Sequence, residues 1–234
     1  MTRILNDILS HQQITGHDES HLIWLDDRTG IHQQALPAWE AMSEEAKLAG
    51  FDLKIASGYR GFDRQLTIWN RKFSGQLAIK NQQGEILDIN TMTEQEIVQS
   101  ILYFSALPGA SRHHWGSDID VYAQNLLPDN QQLKLEPWEF AENGPFYTLH
   151  QWLSKNASRF DFYFPYDQFR GGVAKEPWHL SYWPIAKYAE EVLTIECIQS
   201  ALSNTEILGK SKINQELSNI YRDYIQNVGG INYG

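Results

Sequence analysis

Two stretches of this chain, about sixty residues apart, carry side chains that together could hold a metal ion and supply it with a base. The first is Ser111-Arg112-His113-His114-Trp115-Gly116-Ser117-Asp118-Ile119-Asp120, and the second is Glu176-Pro177-Trp178-His179. A catalytic zinc takes three protein ligands from imidazole and carboxylate and leaves a fourth position open for water. His113, Asp120 and His179 form such a set. Zinc lowers the pKa of its water from about 15.7 to roughly 7, and a carboxylate that takes the proton completes a hydrolytic centre. Glu176 is the residue of the right type for that task.

These side chains need elements to position them. Asp118 to Tyr122 alternate polar and apolar, which predicts a half-buried strand with both carboxylates on one face and Ile119 and Val121 in the core. Gly116 is the turn that lets His113 fold back over that face. Trp178, Leu180 and Tyr182 alternate with His179 and Ser181 as a second strand. Strict alternation would put Glu176 opposite His179, so a kink is required, and Pro177 is its place. A third segment, Ser57-Gly58-Tyr59-Arg60-Gly61-Phe62-Asp63-Arg64-Gln65, follows the strand-like Leu53-Lys54-Ile55-Ala56 and so sets Arg60 at a strand end. Arg60 has a second reading, as a loop ion pair with Asp63. A helix over residues 64–73 would carry Gln65 on its first turn, facing Arg60.

The three segments resemble the motifs S-x-Y-R-S-x-x-x-Q, S-x-H-x-x-G-x-A-x-D and E-x-W-H of the D-alanyl-D-alanine carboxypeptidase and dipeptidase family, zinc peptidases that trim bacterial cell-wall peptides. They stand in the family's order and span residues 57 to 179. The resemblance implies one catalytic zinc held by His113, Asp120 and His179, with Glu176 as general base. Arg60 would stabilise the developing oxyanion, a role whose loss typically costs ~10²–10³ in turnover. Ser111, Gln65 and Tyr59 would hold the substrate's backbone or terminal carboxylate. Gly61 replaces the usual Ser, and Asp118 replaces a small Ala. Asp118 could accept a hydrogen bond from a ligand imidazole or displace Asp120 as ligand; the reading favours Asp120.

The implied activity is a zinc carboxypeptidase acting on D-Ala-D-Ala-type termini of peptidoglycan-derived peptides. The alternatives are an L,D-carboxypeptidase, a dipeptidase, an endopeptidase, or a non-catalytic module that binds wall peptides. The segment from Gly75 to Ala106 is the expected lid.

The other side chains have plainer readings. His114 reads as a loop or pocket-wall residue. His11, His17, His21, His32 and His150 read as surface residues, with His17 and His21 separated as on a helix. Trp115, Trp138, Trp152, Trp178 and Trp183 fall near the metal motifs and could wall a cleft or fill the core. Cys197, the single cysteine, lies in an apolar run and reads as packing; no intramolecular disulfide is available.

The 234 residues, 42% hydrophobic and 21% charged, predict a globular chain with a core. A net charge of −10 without a basic run argues against nucleic acid or an anionic membrane as main partner. No stretch approaches the ~20 apolar residues of a membrane span. Met1 to Asp7 carries an acid and no long apolar run, so the chain as written reads as cytoplasmic, or as periplasmic or wall-located if a leader has been removed.

Helices are expected over residues 31–49, ending at Gly50, after a capping-box-like Thr91-Met92-Thr93-Glu94, over 145–157, and over 185–201 and 211–228. A strand is expected over 160–164. The resulting fold is α+β, helices around a small, mostly antiparallel sheet whose strand ends carry the metal. Residues 1–190 form the peptidase domain. Residues 191–234 form a helical extension packed on it, or a homodimer contact.

Overall fold

The computed structural model describes residues 8–81 and 83–231; the N-terminal segment Met1 to Asp7, Gln82 of the expected 81–84 loop and residues 232–234 lie outside the described residues. In chain order the elements are α1 (His11–Ile14), β1 (Leu22–Trp24), β2 (Gly30–His32), α2 (Leu36–Leu48), β3 (Leu53–Ser57), α3 (Phe62–Phe73), α4 (Glu94–Leu102), β4 (Asp118–Ala123), α5 (Tyr147–Asn156), β5 (Phe162–Tyr163), β6 (His179–Tyr182), α6 (Trp183–Val192), α7 (Ile195–Leu202) and α8 (Lys210–Ile220). A π turn at Tyr221–Ile225 continues α8.

This is the expected α+β arrangement. β3, β4, β6 and β5 form one antiparallel sheet in that order, and β1 and β2 form a separate hairpin. Asp120 stands opposite His179 and Asp118 opposite Ser181. Directly opposed residues share a face, so the four polar side chains of β4 and β6 point the same way. The other face, with Ile119, Val121, Leu180 and Phe162, packs on α2 and α5 through Met42, Ala46, Leu149 and Leu153. A second cluster joins α3, α4 and α6 to α7 and α8. The polar face looks out where the two clusters meet.

Several boundaries differ from the pattern, each for a local reason. The helix expected from residue 31 begins at Leu36 with proline in its first turn, a position that favours helix starts; Ile31 and His32 belong instead to β2. The capping box is Thr93 with Glu96, two residues later than expected, because Asp88 caps a 3₁₀ turn that contains Thr91. The helix expected over 185–201 is broken: Leu193 is extended, and Thr194 caps α7 by accepting from the Cys197 amide. The strand at 160–164 shrinks to Phe162–Tyr163, since a 3₁₀ turn reaches to Phe160 and Asp161 is left-handed. The apolar stripe of α8, Ile213, Leu217 and Ile220, is buried in the chain's own core. Among the described residues, no helix is long and apolar enough to cross a membrane.

Candidate metal centre and cleft

His113 sits in a 3₁₀ turn, Arg112–Trp115, that Gly116 ends at φ +68°. A Cβ there would lie 2.4 Å from Leu22 Cδ2 and 3.0 Å from the His32 amide nitrogen, so both conformation and space call for glycine. The turn brings His113 over the polar face, its ring centroid 4.9 Å from that of His179. Pro177 forms the expected kink, and Trp178, expected in the strand, belongs to the turn with it: the His179 amide donates to the Glu176 carbonyl at 3.1 Å, which brings the Glu176 side chain to the face of His179.

His113, Asp120 and His179 converge with ligand atoms all within 4.8 Å of one another. His113 Nε2 is 3.5 Å from Asp120 Oδ2, and His179 Nδ1 is 3.2 Å from Asp120 Oδ1. Tetrahedral zinc with bonds near 2.0–2.1 Å spaces its ligands roughly 3.3 Å apart. The tautomers agree. His113 Nδ1 faces the Gly58 carbonyl at 2.9 Å and must donate to it, leaving a lone pair on Nε2. His179 Nε2 donates to Asp118 Oδ1 at 3.0 Å, leaving a lone pair on Nδ1. Asp120 Oδ1 is buried without a hydrogen-bond partner. With His179 neutral in that tautomer, acceptors face one another, and a divalent cation in place of a proton on Nδ1 satisfies all of them.

The charges around the cluster are buried. Burial pushes His113 down to about 4, so its ring is neutral at pH 7. Although burial opposes it, the carboxylates of Asp118, Asp120 and Glu176 raise His179 well above its ordinary value. The surplus of negative charge that would hold a proton there would equally hold a metal ion. Burial raises the Glu176 carboxyl and Asp120 adds to this, while His179 and Arg60 pull it down. Its Oε2 lies 3.4 Å from His179 Nδ1, at the edge of the cluster.

Asp118 stands behind His179. It accepts from Arg112 Nε at 2.7 Å, and from the hydroxyls of Ser117 at 2.9 Å and Ser181 at 3.0 Å. Against its complete burial, Arg112 holds the carboxyl well below the usual range. Arg112 is itself anchored by Glu190 of α6 at 2.6 Å and by Tyr163 at 2.7 Å.

A cleft of about 550 Å³ opens over the cluster, lined by Arg60, Ser111, His113, Asp120, Glu176 and His179 together with Trp115, Trp138 and Trp178. Trp152 and Trp183 lie elsewhere. Arg60 forms no ion pair with Asp63; its two terminal nitrogens donate to Gln65 Oε1 at 3.0 Å and Ser57 Oγ at 3.2 Å, and its Nε is buried without a partner. Ser111 Oγ is likewise buried and unpartnered.

Two residues expected to touch substrate do not line the cleft. Gln65 is fully buried behind Arg60, with its amide nitrogen on the Ala106 carbonyl at 2.6 Å. Tyr59 is buried with its hydroxyl on the Gly16 carbonyl at 3.2 Å. His114 is a buried bridge, donating from Nδ1 to the Arg60 carbonyl and accepting from the Gly109 amide. His21 and His32, expected at the surface, are buried against each other, and the His32 amide donates to the Gly116 carbonyl. His17 and His21 share no helix.

The sequence reading missed further lining residues: Lys72 at the end of α3, Tyr166, and Tyr224 and Ile225 of the π turn. Burial brings Lys72 down to about 8, with Arg60 and Lys80 pushing the same way and Glu176 opposing. Lys80 and Gly84 of the expected lid also line the cleft, and Lys80 is ion-paired across it with Glu136. The C-terminal segment braces the loop that leads to Glu176. The Gly229 amide donates to the Pro165 carbonyl at 2.8 Å, Asn227 Nδ2 to the Arg170 carbonyl at 2.7 Å, and a Cβ on Gly172 would lie 1.9 Å from the Asp223 carbonyl oxygen.

A family model described as VanY, D-alanyl-D-alanine carboxypeptidase, matches residues 28–185. The chain belongs to this family. It is thereby a cell-wall peptidase of the VanY family, a hydrolase. An uncharacterised protein of Haemophilus influenzae is 38% identical over 121 residues, 51% of this chain and 92% of that protein. Among solved structures, VanYB in complex with D-alanine-D-alanine gives a TM-score of 0.51 at 20% identity, covering 83% of this chain and 88% of that one. The LdcB LD-carboxypeptidase gives 0.50 at 20% identity, covering 83% and 82%. These two likenesses are of fold.

Proposed function

We propose that this VanY-family chain is a zinc-dependent carboxypeptidase that releases a terminal D-amino acid, D-alanine first, from peptidoglycan-derived peptides. The observation that carries the reading is the convergence of lone-pair atoms from His113, Asp120 and His179 beside a largely buried Glu176. Zinc held by those three residues would supply Lewis acidity, acidifying water and polarising the scissile carbonyl. Glu176 takes the proton from the attacking water and returns it to the leaving amine; a carboxyl raised by burial suits both transfers. Arg60, fixed by Gln65 and Ser57, keeps three N–H donors for the developing negative charge. Ser111 offers a hydroxyl with no other partner to the peptide backbone. The intact base supports an enzyme over a binding module.

The test is metal analysis of the purified protein together with the D,D, L,D and L,L versions of one short peptide ending in two alanines, followed by mass spectrometry. About one zinc per chain and release of alanine from the D,D form are expected. Faster release from the L,D form would move the assignment to an L,D-carboxypeptidase. Equal or faster release from the L,L form, or a protein without zinc or cleavage, would overturn it.

A further inference from the structure

We infer that Lys72, aligned by Ser105, is a specificity-determining residue that takes the free carboxylate at the end of the substrate and so makes the cleft an exopeptidase site. The inference rests on the peptidase reading above and assigns part of that site to a residue outside its three motifs.

A terminal carboxylate needs a cation with unoccupied donors, and the cleft holds few. Arg60 spends two of its five N–H donors on Gln65 and Ser57, and the remaining three are the ones assigned above to the scissile carbonyl. Gln65 itself is behind the wall. Lys80 is neutralised by Glu136, and Lys134 lies over the Trp138 ring at 5.8 Å. Lys72 differs from all of these. Its Nζ donates to Ser105 Oγ at 2.6 Å, and among the described residues it forms no ion pair. An ammonium has three donors, so two remain for a ligand.

Its placement fits. Lys72 follows Gln65 by seven residues, two turns along the same face of α3, and a helical side chain leans back toward the N-terminus, here toward Arg60. It is near enough to feel the charges of Arg60 and Glu176. Gln65 and Lys72 grip neighbouring residues, Ala106 and Ser105, so one short segment fixes both the arginine and the lysine. With Arg60 at the scissile carbonyl, Lys72 in the same cleft would meet a short leaving group that ends in a carboxylate. A chain continuing past that point would set a neutral peptide group against a half-buried ammonium.

The experiment compares an N-acylated peptide ending in D-Ala-D-Ala with its C-terminal amide, on zinc-loaded wild type, Lys72→Met, Lys72→Arg and Ser105→Ala. A hydrogen bond to a charged group is worth roughly 10–100-fold. The acid-to-amide ratio of kcat/KM is expected to fall by that factor in Lys72→Met, through KM of the acid, and to be largely restored in Lys72→Arg. Ser105→Ala should lower the ratio by a smaller factor. An unchanged ratio, or acid and amide falling in equal proportion, would overturn the inference. Failure of wild type to cleave either peptide would count against the D,D-carboxypeptidase reading instead. The same comparison is then made on binding, read from fluorescence of the cleft tryptophans. Preference for acid over amide that vanishes in Lys72→Met supports the site, and equal binding of the two by wild type rejects it.

Discussion

Asp118→Asn removes one charge and little else. Asp118 Oδ1 takes Arg112 at 2.7 Å and His179 at 3.0 Å, while Oδ2 takes two serine hydroxyls. An amide in its place keeps oxygen toward Arg112 and His179 and turns its NH₂ toward hydroxyls that can accept. Arg112 keeps its own charge, so its bond stays charge-assisted, while the bonds from His179 and the two serines lose an ionised acceptor at about 1 kcal/mol or a little less each, a loss of about 2–3 kcal/mol. Arg112 keeps Glu190 at 2.6 Å, so the loss stays below the about 3–5 kcal/mol of a buried charge left alone. In a domain of this size the melting temperature of metal-stripped protein should fall by about 4–12 °C. Zinc affinity should fall about 10–100-fold, because His179 loses the carboxylate that orients it. Competition against a chromophoric chelator measures it. Loss of zinc as complete as in Asp120→Asn would make Asp118 a ligand, and an affinity within about twofold of wild type would leave it no role at the metal.

Glu176→Gln should retain zinc by metal analysis and lose most hydrolysis, since a proton carrier is removed and no ligand is. Gly116→Ala should cost at least about 1–2 kcal/mol from left-handed strain alone, with more from the contact at Leu22, and lower zinc affinity by displacing His113; thermal melts and zinc titration check both. KM for a carboxylate-ended peptide should rise as pH passes upward through about 8, where Lys72 loses its proton in the free protein; Ser105, Glu176, Arg60 and Lys80 are the groups facing it. That rise should be absent in Lys72→Arg. Deleting residues 221–234 should leave zinc bound but lower kcat/KM, because the wall supplied by Tyr224 and Ile225 is gone.

The convergence of His113, Asp120 and His179 was legible because its geometry follows from short-range rules. A period of two sets Asp118 and Asp120 on one face, and a proline after Glu176 bends it toward His179. Where two local signals compete, sequence alone does not choose: Thr91-x-x-Glu94 and Thr93-x-x-Glu96 both satisfy a capping box, and the turn capped by Asp88 decides between them. The β1–β2 hairpin is too short to show a period, and so the burial of His21 and His32 went unread. Lys72, beside Arg71 at a helix end, looks like an ordinary basic cap; its place in the cleft depends on what packs against α3. Tyr224 and Ile225 carry no motif, and their role comes from a contact between distant parts of the chain.

That last contact bears on the order in which the molecule is made. His179 precedes Gly229 by fifty residues, which a ribosome adding about 5–20 residues per second covers in roughly 3–10 seconds. All three metal-facing side chains thus exist before the segment that steadies the loop of Glu176 has been synthesised. A growing chain can gather its cation first and fasten its base last. On the zinc reading proposed above, a hydrolase assembled in that sequence would pass through a stage at which it holds metal and cuts poorly, and translation itself would set how long that stage lasts.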